Sequence, residues 1–563
     1  MSIDIETYRL KAQEAIEYVF VKEYHNSLGI PMPIVKILLP DDANYSTGQY
    51  YITIDKTWQI HLNFGKLPIS YHEFQNEVKV LTRHEIEHYM CCPFDVITHF
   101  RMLKRIKDVY YKHFSHLGIN IKYACGAISN QAADIIVDTK NYYRHSKETL
   151  KSEIDWIKIG ANISACPRHC KLMFLTKEAI WKEDLGINET DPEFLKIVHQ
   201  LADSFTKNGI EDKSSFLDKV EEYAEIFFKL YVEDQKNPQQ SSQQGSQQQN
   251  GQQGSQQQSG QWGVGRPKDG DEHGNAFVFA DPDKVKEAIE VLAEETSVEE
   301  FIDLLAIAGI IGMSDKQKGV LWFNVQSANI IPIVEFSNTG NKSSYTYPSV
   351  WRIGDPIEEL DLMLTYMTSP RLIPGMTTKK WEYVSNDDNG TESKQMDLLL
   401  VVDTSGSMGS AMKESANMHQ AVLASYGILS YFESTKSKVA FIGFSDKIDA
   451  YVDWSDKYDD VRERLLTNGH GGTKFPISRI KSTLDVRSRD LVTVLITDGD
   501  LGNINESVSY FRDYLNDDNK LYIFLLGGSK SLHSYEPLKN IGAKIYNANN
   551  ANEFCDMVLT DME

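Results

Sequence analysis

The sequence predicts a multidomain chain with four parts. These are an α+β N-terminal domain over residues 1–235, a flexible linker over 236–276, a mixed helical and β bridging region over 277–395, and an α/β doubly wound domain over 396–563. Three observations predict this. Short strand-like runs near the N-terminus give way to long stretches with apolar residues every three or four positions. Gln239 to Gln261 is almost wholly Gln, Ser and Gly, which cannot bury apolar surface and makes a tether. From Met396 onward strands alternate with helices, the pattern of a mostly parallel sheet.

Composition narrows the functional classes. A length of 563 residues is enough for three or four domains with their own cores. A net charge of −22 argues against general nucleic-acid binding, which needs a basic face. The opening Met1-Ser2-Ile3-Asp4-Ile5-Glu6 is acidic and lacks the apolar core of a signal peptide. No apolar run is long enough to predict a membrane span. Six cysteines in this length do not make a disulfide framework, so a reducing cytoplasm is expected.

In order along the chain, Glu6 to Tyr24 predicts an amphipathic helix with Tyr8, Ala12, Ala15, Ile16, Val19 and Phe20 inward. Strands are expected at Ile34–Leu39, Tyr50–Ile54 and Trp58–Phe64, the last two joined by a hairpin at Asp55-Lys56-Thr57. Ile60–Phe64 is the candidate sheet edge that could pair with an extended peptide. Tyr71 to Met90 then predicts a helix, stopped by Pro93. It carries His84-Glu85-x-x-His88. Positions i and i+4 share a helix face, so two imidazoles can grip one metal ion. Glu85, beside the first, can reach a water on that ion.

Such a site needs a third protein ligand. The best candidate lies in Asn130 to Asp138, where Asn130, Asp134 and Asp138 fall at i, i+4 and i+8 of an otherwise apolar helix. Three polar residues on one face are costly to bury unless they bind something; a solvated surface face is the plain alternative. The functional reading makes Asp134 the third ligand. Asp138, one turn on, would accept the free N–H of a ligating imidazole. Glu87 is another nearby acid, but it points off the ligand face. Cys91-Cys92 and Cys166-x-x-x-Cys170 form a rival: a structural metal site, or buried free thiols.

His84-Glu85-x-x-His88, followed by an acidic residue on a later helix and a second Asp four residues on, resembles the gluzincin and aspzincin metallopeptidases. The resemblance implies a zincin-like fold, zinc as cofactor, and Glu85 as the general base in peptide hydrolysis. The sequence departs from the gluzincin pattern by placing Asp at the third-ligand position.

Phe174 to Tyr231 is helical in pattern and reads as packing. In the bridging region Asp281–Ile311 looks helical, Gly319–Phe336 and Tyr345–Gly354 strand-like, Ile357–Met367 helical, and Pro370–Gly375 a loop. No catalytic constellation appears there. Met396 to Val402 is a nearly continuous apolar run, as a strand buried on both faces should be. It delivers Asp403-Thr404-Ser405-Gly406-Ser407 to its C-terminal end. A helix from Ser410 to about Phe432 follows, with further strands at Lys438–Phe444, Ile448–Trp454, Leu491–Thr497, Leu521–Leu526 and Lys544–Asn547. Asp403-x-Ser405-x-Ser407, Gly471-Gly472-Thr473 and Thr497-Asp498-Gly499 would meet at the strand ends. All offer short oxygen side chains, the donors magnesium takes, and leave a position for a partner's carboxylate.

Asp403, Ser405, Ser407, Thr473 and Asp498 resemble the metal-ion-dependent adhesion site of von Willebrand factor A domains, which have a doubly wound, Rossmann-like fold. The resemblance implies that Ser405, Ser407 and Thr473 touch a magnesium ion directly, and Asp403 and Asp498 directly or through water. A zincin-like half joined to such a domain also resembles predicted metal-dependent peptidases linked with MoxR-type AAA+ ATPases. The chain has no G-x-x-x-x-G-K-[ST] loop, so such an ATPase would be a separate protein partner. Two functions follow. One is a zinc peptidase with a magnesium-dependent docking domain. The other is a non-enzymatic adaptor of an AAA+ machine with a structural or vestigial N-terminal metal site.

Overall fold

The computed structural model describes residues 5–42, 45, 50–54, 59–64, 70–160, 163–236, 282–308, 310, 313–328, 344–351, 379–384, 396–487, 490–499, 501–517, 519–526 and 533–548. The expected tether, the Ile357–Met367 helix and the Pro370–Gly375 loop lie outside them. The chain forms two compact units. One is Met1–Thr296 with Glu300–Met313; the other is Ser297–Glu299 with Ser314–Glu563.

In the first unit, helix α1 (Ile5–Glu17) runs on through a π turn, Tyr18–Glu23. Its expected inward residues Tyr8, Ala12, Ala15, Ile16, Val19 and Phe20 are all buried. They share a core with Ile60, Leu62, Phe74, Val78 and Ile86. Strands β1 (Ile34–Ile37), β2 (Tyr50–Ile54) and β3 (Gln59–Phe64) pair in the order β1-β3-β2. β3 is therefore central, parallel to β1 and antiparallel to β2. The edge role expected of Ile60–Phe64 is thus corrected: both backbone rows of β3 are engaged within the sheet.

Helix α2 (Tyr71–Met90) opens on a capping box, with Ser70 accepting from the Glu73 N–H and Glu73 reaching back. Helices α3 (Val96–Val109), α4 (Ile121–Gly160), α5 (Arg168–Trp181), α6 (Pro192–Thr206) and α7 (Phe216–Lys236) follow. α4 is kinked at His145, which leaves the helical region. Ion pairs lock α2 to its neighbours. Arg83 bridges Glu23 and Glu148. Glu87, fully buried, takes Lys140 at 2.8 Å, Arg144 at 2.9 Å and the Tyr24 hydroxyl at 2.9 Å.

The unit continues past residue 235. The helix Pro282–Glu295 and the one after it, Val298–Ile307, bring Glu295, Glu300 and Asp303 to Arg101, Lys104 and Lys107 of α3. Phe301, Leu304 and Leu305 are buried. The region expected to bridge is thus divided between the two units.

In the second unit, Asp315–Ala328 is a helix, not the strand expected from Gly319. Its buried residues Lys318, Gly319, Trp322, Phe323 and Ser327 recur at helical spacing. Trp322 and Phe323 pack on the His419 ring at 5.3 and 5.2 Å between centroids. β4 (Ser344–Val350) and β5 (Lys379–Val384) pair antiparallel.

A six-stranded sheet follows, of β6 (Asp397–Asp403), β7 (Val439–Phe444), β8 (Ile448–Ser455), β9 (Leu491–Thr497), β10 (Lys520–Leu526) and β11 (Lys544–Ala548). The order is β11-β10-β9-β6-β7-β8, all parallel except β8. The order reverses beside β6, so loops at its C-terminal end border a crevice where open α/β sheets place ligands. The helix expected from Ser410 begins only at Asn417. Among the described residues, no helix is long and apolar enough to cross a membrane.

Candidate metal centre

In the first unit, α2 and α4 build one cluster. The 84/88 spacing places both imidazoles on the α2 face toward α4, and the 134/138 spacing answers with two carboxylates. His84 Nε2 lies 3.1 Å from His88 Nε2. Asp134 Oδ1 lies 3.5 Å from the first and 3.2 Å from the second. A tetrahedral zinc with bonds of about 2.0–2.1 Å separates its ligands by roughly 3.3 Å, so the triangle has the right size. Among the described residues, these three are the His, Cys, Asp or Glu side chains grouped closely enough to share an ion.

These three side chains could hold a cation. Asp134 Oδ2 accepts from Asn130 Nδ2 at 3.1 Å, but Oδ1 is buried with no hydrogen-bond partner. Its nearest polar neighbours are the His88 and His84 Nε2 atoms at 3.2 and 3.5 Å. An orphaned carboxylate oxygen is costly, and a metal ion removes the cost. Each imidazole meets an acceptor at Nδ1. His84 donates to Asp138 Oδ1 at 2.6 Å, and His88 to the Cys92 carbonyl at 2.8 Å. In the neutral ring Nδ1 then carries the proton, which turns the Nε2 lone pair inward.

Burial lowers the His88 pKa, but Asp134 and Glu85 outweigh it and push it up to about 9. Burial likewise raises Asp134, and the two imidazoles bring it below the usual carboxylate range. A metal ion entering here displaces a proton.

Glu85 is half-buried on α2, beside His84. Glu87 is committed to Tyr24, Lys140 and Arg144, away from the ligand atoms. Two residues that sequence reasoning missed stand behind Asp138. Lys177 Nζ lies 3.0 Å from Asp138 Oδ2 and also contacts Glu153. Burial would lower the lysine pKa, but Glu153 and Asp138 more than offset it and raise it. The available signal was a lysine one helical turn from Phe174 and Trp181, closing the apolar run Leu172-Met173-Phe174-Leu175, where a buried cation requires partners.

The cysteines take the plainer reading. Cys91, Cys92, Cys125 and Cys170 are buried free thiols and Cys166 a half-buried one. Among the described residues, no cysteine joins a group of three metal-ligand side chains. Burial pushes the Cys91 thiol up to about 11.

In the second unit, β6, β9 and two loops gather oxygen side chains. Asp403 is buried; its Oδ1 accepts the Ser405 N–H at 2.9 Å and its Oδ2 the Thr497 hydroxyl at 2.6 Å. Burial raises its pKa, partly offset by these donors. The Ser405 and Ser407 hydroxyls are 3.1 Å apart, and Ser407 donates to Asp498 Oδ1 at 3.0 Å. Asn417 Nδ2 donates to Asp498 Oδ2 at 3.1 Å, a contact not foreseen from sequence. Four of the five expected residues thus meet.

Thr473 lies on the neighbouring loop, tied in where the Gly406 N–H donates to the Gly471 carbonyl at 3.3 Å. No hydrogen bond joins its side chain to the other four among the described residues. A Cβ at Gly469 would collide with the Asp449 carboxylate and the Thr404 carbonyl, so only glycine lets this loop approach β6.

No protein-family model matches the chain, and no curated protein matches it.

Proposed function

We propose that the first unit is a zinc-dependent peptidase centre. The second is a magnesium-dependent docking module of the von Willebrand factor A kind, which holds an acidic partner. A separate MoxR-type AAA+ ATPase is the partner the sequence resemblance favours. One observation carries the metal centre on which the peptidase reading rests: Asp134 Oδ1, buried without a hydrogen bond, faces two imidazole nitrogens at 3.5 and 3.2 Å.

Two imidazoles and one carboxylate suit zinc and leave a fourth position open. Zinc there supplies Lewis acidity to water and to a peptide carbonyl. His84, His88 and Asp134 hold it. Asp138 and the Cys92 carbonyl keep the rings turned. Glu85 takes the proton of the attacking water and passes it to the departing amine nitrogen, as a half-buried carboxylate one residue from a ligand can. In the second unit Ser405, Ser407, Thr473, Asp403 and Asp498 offer oxygen alone, the donor type of magnesium.

The adaptor reading draws on burial. His84 and His88 are only 5% and 1% exposed, as in a structural site. Against it, the Asp134 side chain keeps 15% exposure and Glu85 is half-buried, which leaves a wet margin. Metal analysis of the full chain beside His84→Ala tests the centre, and one zinc lost with the imidazole is expected. Peptide cleavage by wild type and Glu85→Gln separates the readings: a general base predicts zinc retained and cleavage lost.

A further inference from the structure

We propose that Lys177 is a positioning residue for the metal centre, acting through Asp138 to hold the His84 ring in its ligating orientation. The inference rests on the zinc reading above. Lys177 is 1% exposed, and its ammonium sits between Asp138 Oδ2 at 3.0 Å and Glu153. The rings of Phe174 and Trp181 lie 5.2 and 5.8 Å from Nζ and wall it from water. Both oxygens of Asp138 are thereby engaged, one by Lys177 and the other by His84 Nδ1.

A carboxylate held at one oxygen only can turn about its own bond. Held at both, it fixes its plane, and so the plane of the imidazole it meets. The His84 ring has little else to set its angle: its Nε2 faces the ion position, and its Nδ1 has only Asp138. The chain His84–Asp138–Lys177–Glu153 therefore ties a ligand on α2 to a cation on α5 by way of α4. The lysine reaches this place because α5 packs on α4 with Lys177 turned inward among apolar residues. A mere brace between α4 and α5 would place the same lysine there, but would have no effect on an ion once the protein was folded.

The test is made on the full chain. The variant Lys177→Met/Glu153→Gln removes one charge of each sign, so no new net charge is buried. Folding is followed by circular dichroism, Zn2+ affinity by competition with a chromophoric chelator, and ligand geometry by the visible absorption of bound Co2+. Outer partners of ligating side chains typically govern 10–100-fold in affinity, and a loss of that size with an altered Co2+ band is expected. Asp138→Asn should show a similar loss, and adding it to the double variant should weaken binding no further, because both act through one contact.

A folded double variant with wild-type Zn2+ affinity and Co2+ spectrum overturns the proposal, as do fully additive losses. Lys177→Gln guards against a folding failure. It should bind Zn2+ several-fold more weakly with the same spectral change, and unaltered binding there is equally fatal. If wild type takes up no Zn2+ that His84→Ala loses, the zinc reading itself has failed, a result distinct from the others.

Discussion

The two candidate ion sites are built in opposite ways. The first is buried between helices, uses imidazoles and a carboxylate from positions about fifty residues apart, and leaves Asp134 Oδ1 without a partner. The second lies at strand ends and satisfies itself: both oxygens of Asp403, both oxygens of Asp498 and the two serine hydroxyls already hydrogen-bond one another or their neighbours. One site keeps a buried carboxylate oxygen that only two imidazoles face; the other has its carboxylate and serine oxygens hydrogen-bonded. An ion should therefore be integral to the first and exchangeable in the second.

The sharpest way to break this contrast is chemical. Glu85→Gln should cut peptide cleavage by about 10²–10⁴-fold, the contribution of a positioned base, with zinc content unchanged. Cleavage that survives the substitution would remove Glu85 as the base, whereas zinc bound without any cleavage by the wild type would move the protein to the adaptor reading.

Next in size is ion-linked stability. At a free zinc concentration about a thousand times its Kd, the first unit should gain about 4 kcal/mol. Scanning calorimetry should show its transition rising with zinc and falling with chelator. If the second unit's transition moves instead, the contrast is wrong.

A third measurement asks whether α2 is held by its ion pairs independently of metal. Glu87→Gln leaves the Lys140 ammonium with only the exposed Glu211 carboxylate, at 3.1 Å, and weakens the tie to Arg144. A loss of about 3 kcal/mol is expected, since breaking a buried pair strands the remaining charge. Denaturant unfolding in the presence of chelator measures it. A change below 1 kcal/mol would mean that apolar packing alone positions the helix.

What the sequence made legible follows from the range of the interactions. The two pairs 84/88 and 134/138 are local spacings on helices, so faces could be assigned from periodicity alone. Asp403-x-Ser405-x-Ser407 is likewise local, and the alternation of β6, β7, β9 and β10 with helices is a pattern of segments. Sheet order is not local: the central place of β3 depends on a parallel pairing with β1 that no hairpin announces. Val320, Trp322 and Phe323 suit a strand, but burial of 318/319, 322/323 and 327, with packing on the Asn417–Ser434 helix, makes Asp315–Ala328 a helix. Composition marked the tract after Pro238 as a break. Nothing in it told that Glu295, Glu300 and Asp303 would return to Arg101, Lys104 and Lys107 of α3. Lys177 announced a buried partner without saying which.

The smallest effect concerns the second site. Magnesium at a concentration equal to its Kd should raise that unit's stability by only about 0.4 kcal/mol, as mass action requires. Asp403→Ala should abolish ion uptake nonetheless. It removes the acceptor of the Ser405 N–H and the Thr497 hydroxyl, and with it the carboxylate charge at the strand end. Titration with Mn2+, followed by its paramagnetic signal, should show one site lost while zinc content stays at the wild-type level. Zinc loss in the same variant would tie together two centres whose ligands share no residue, and would refute the separation on which the comparison rests.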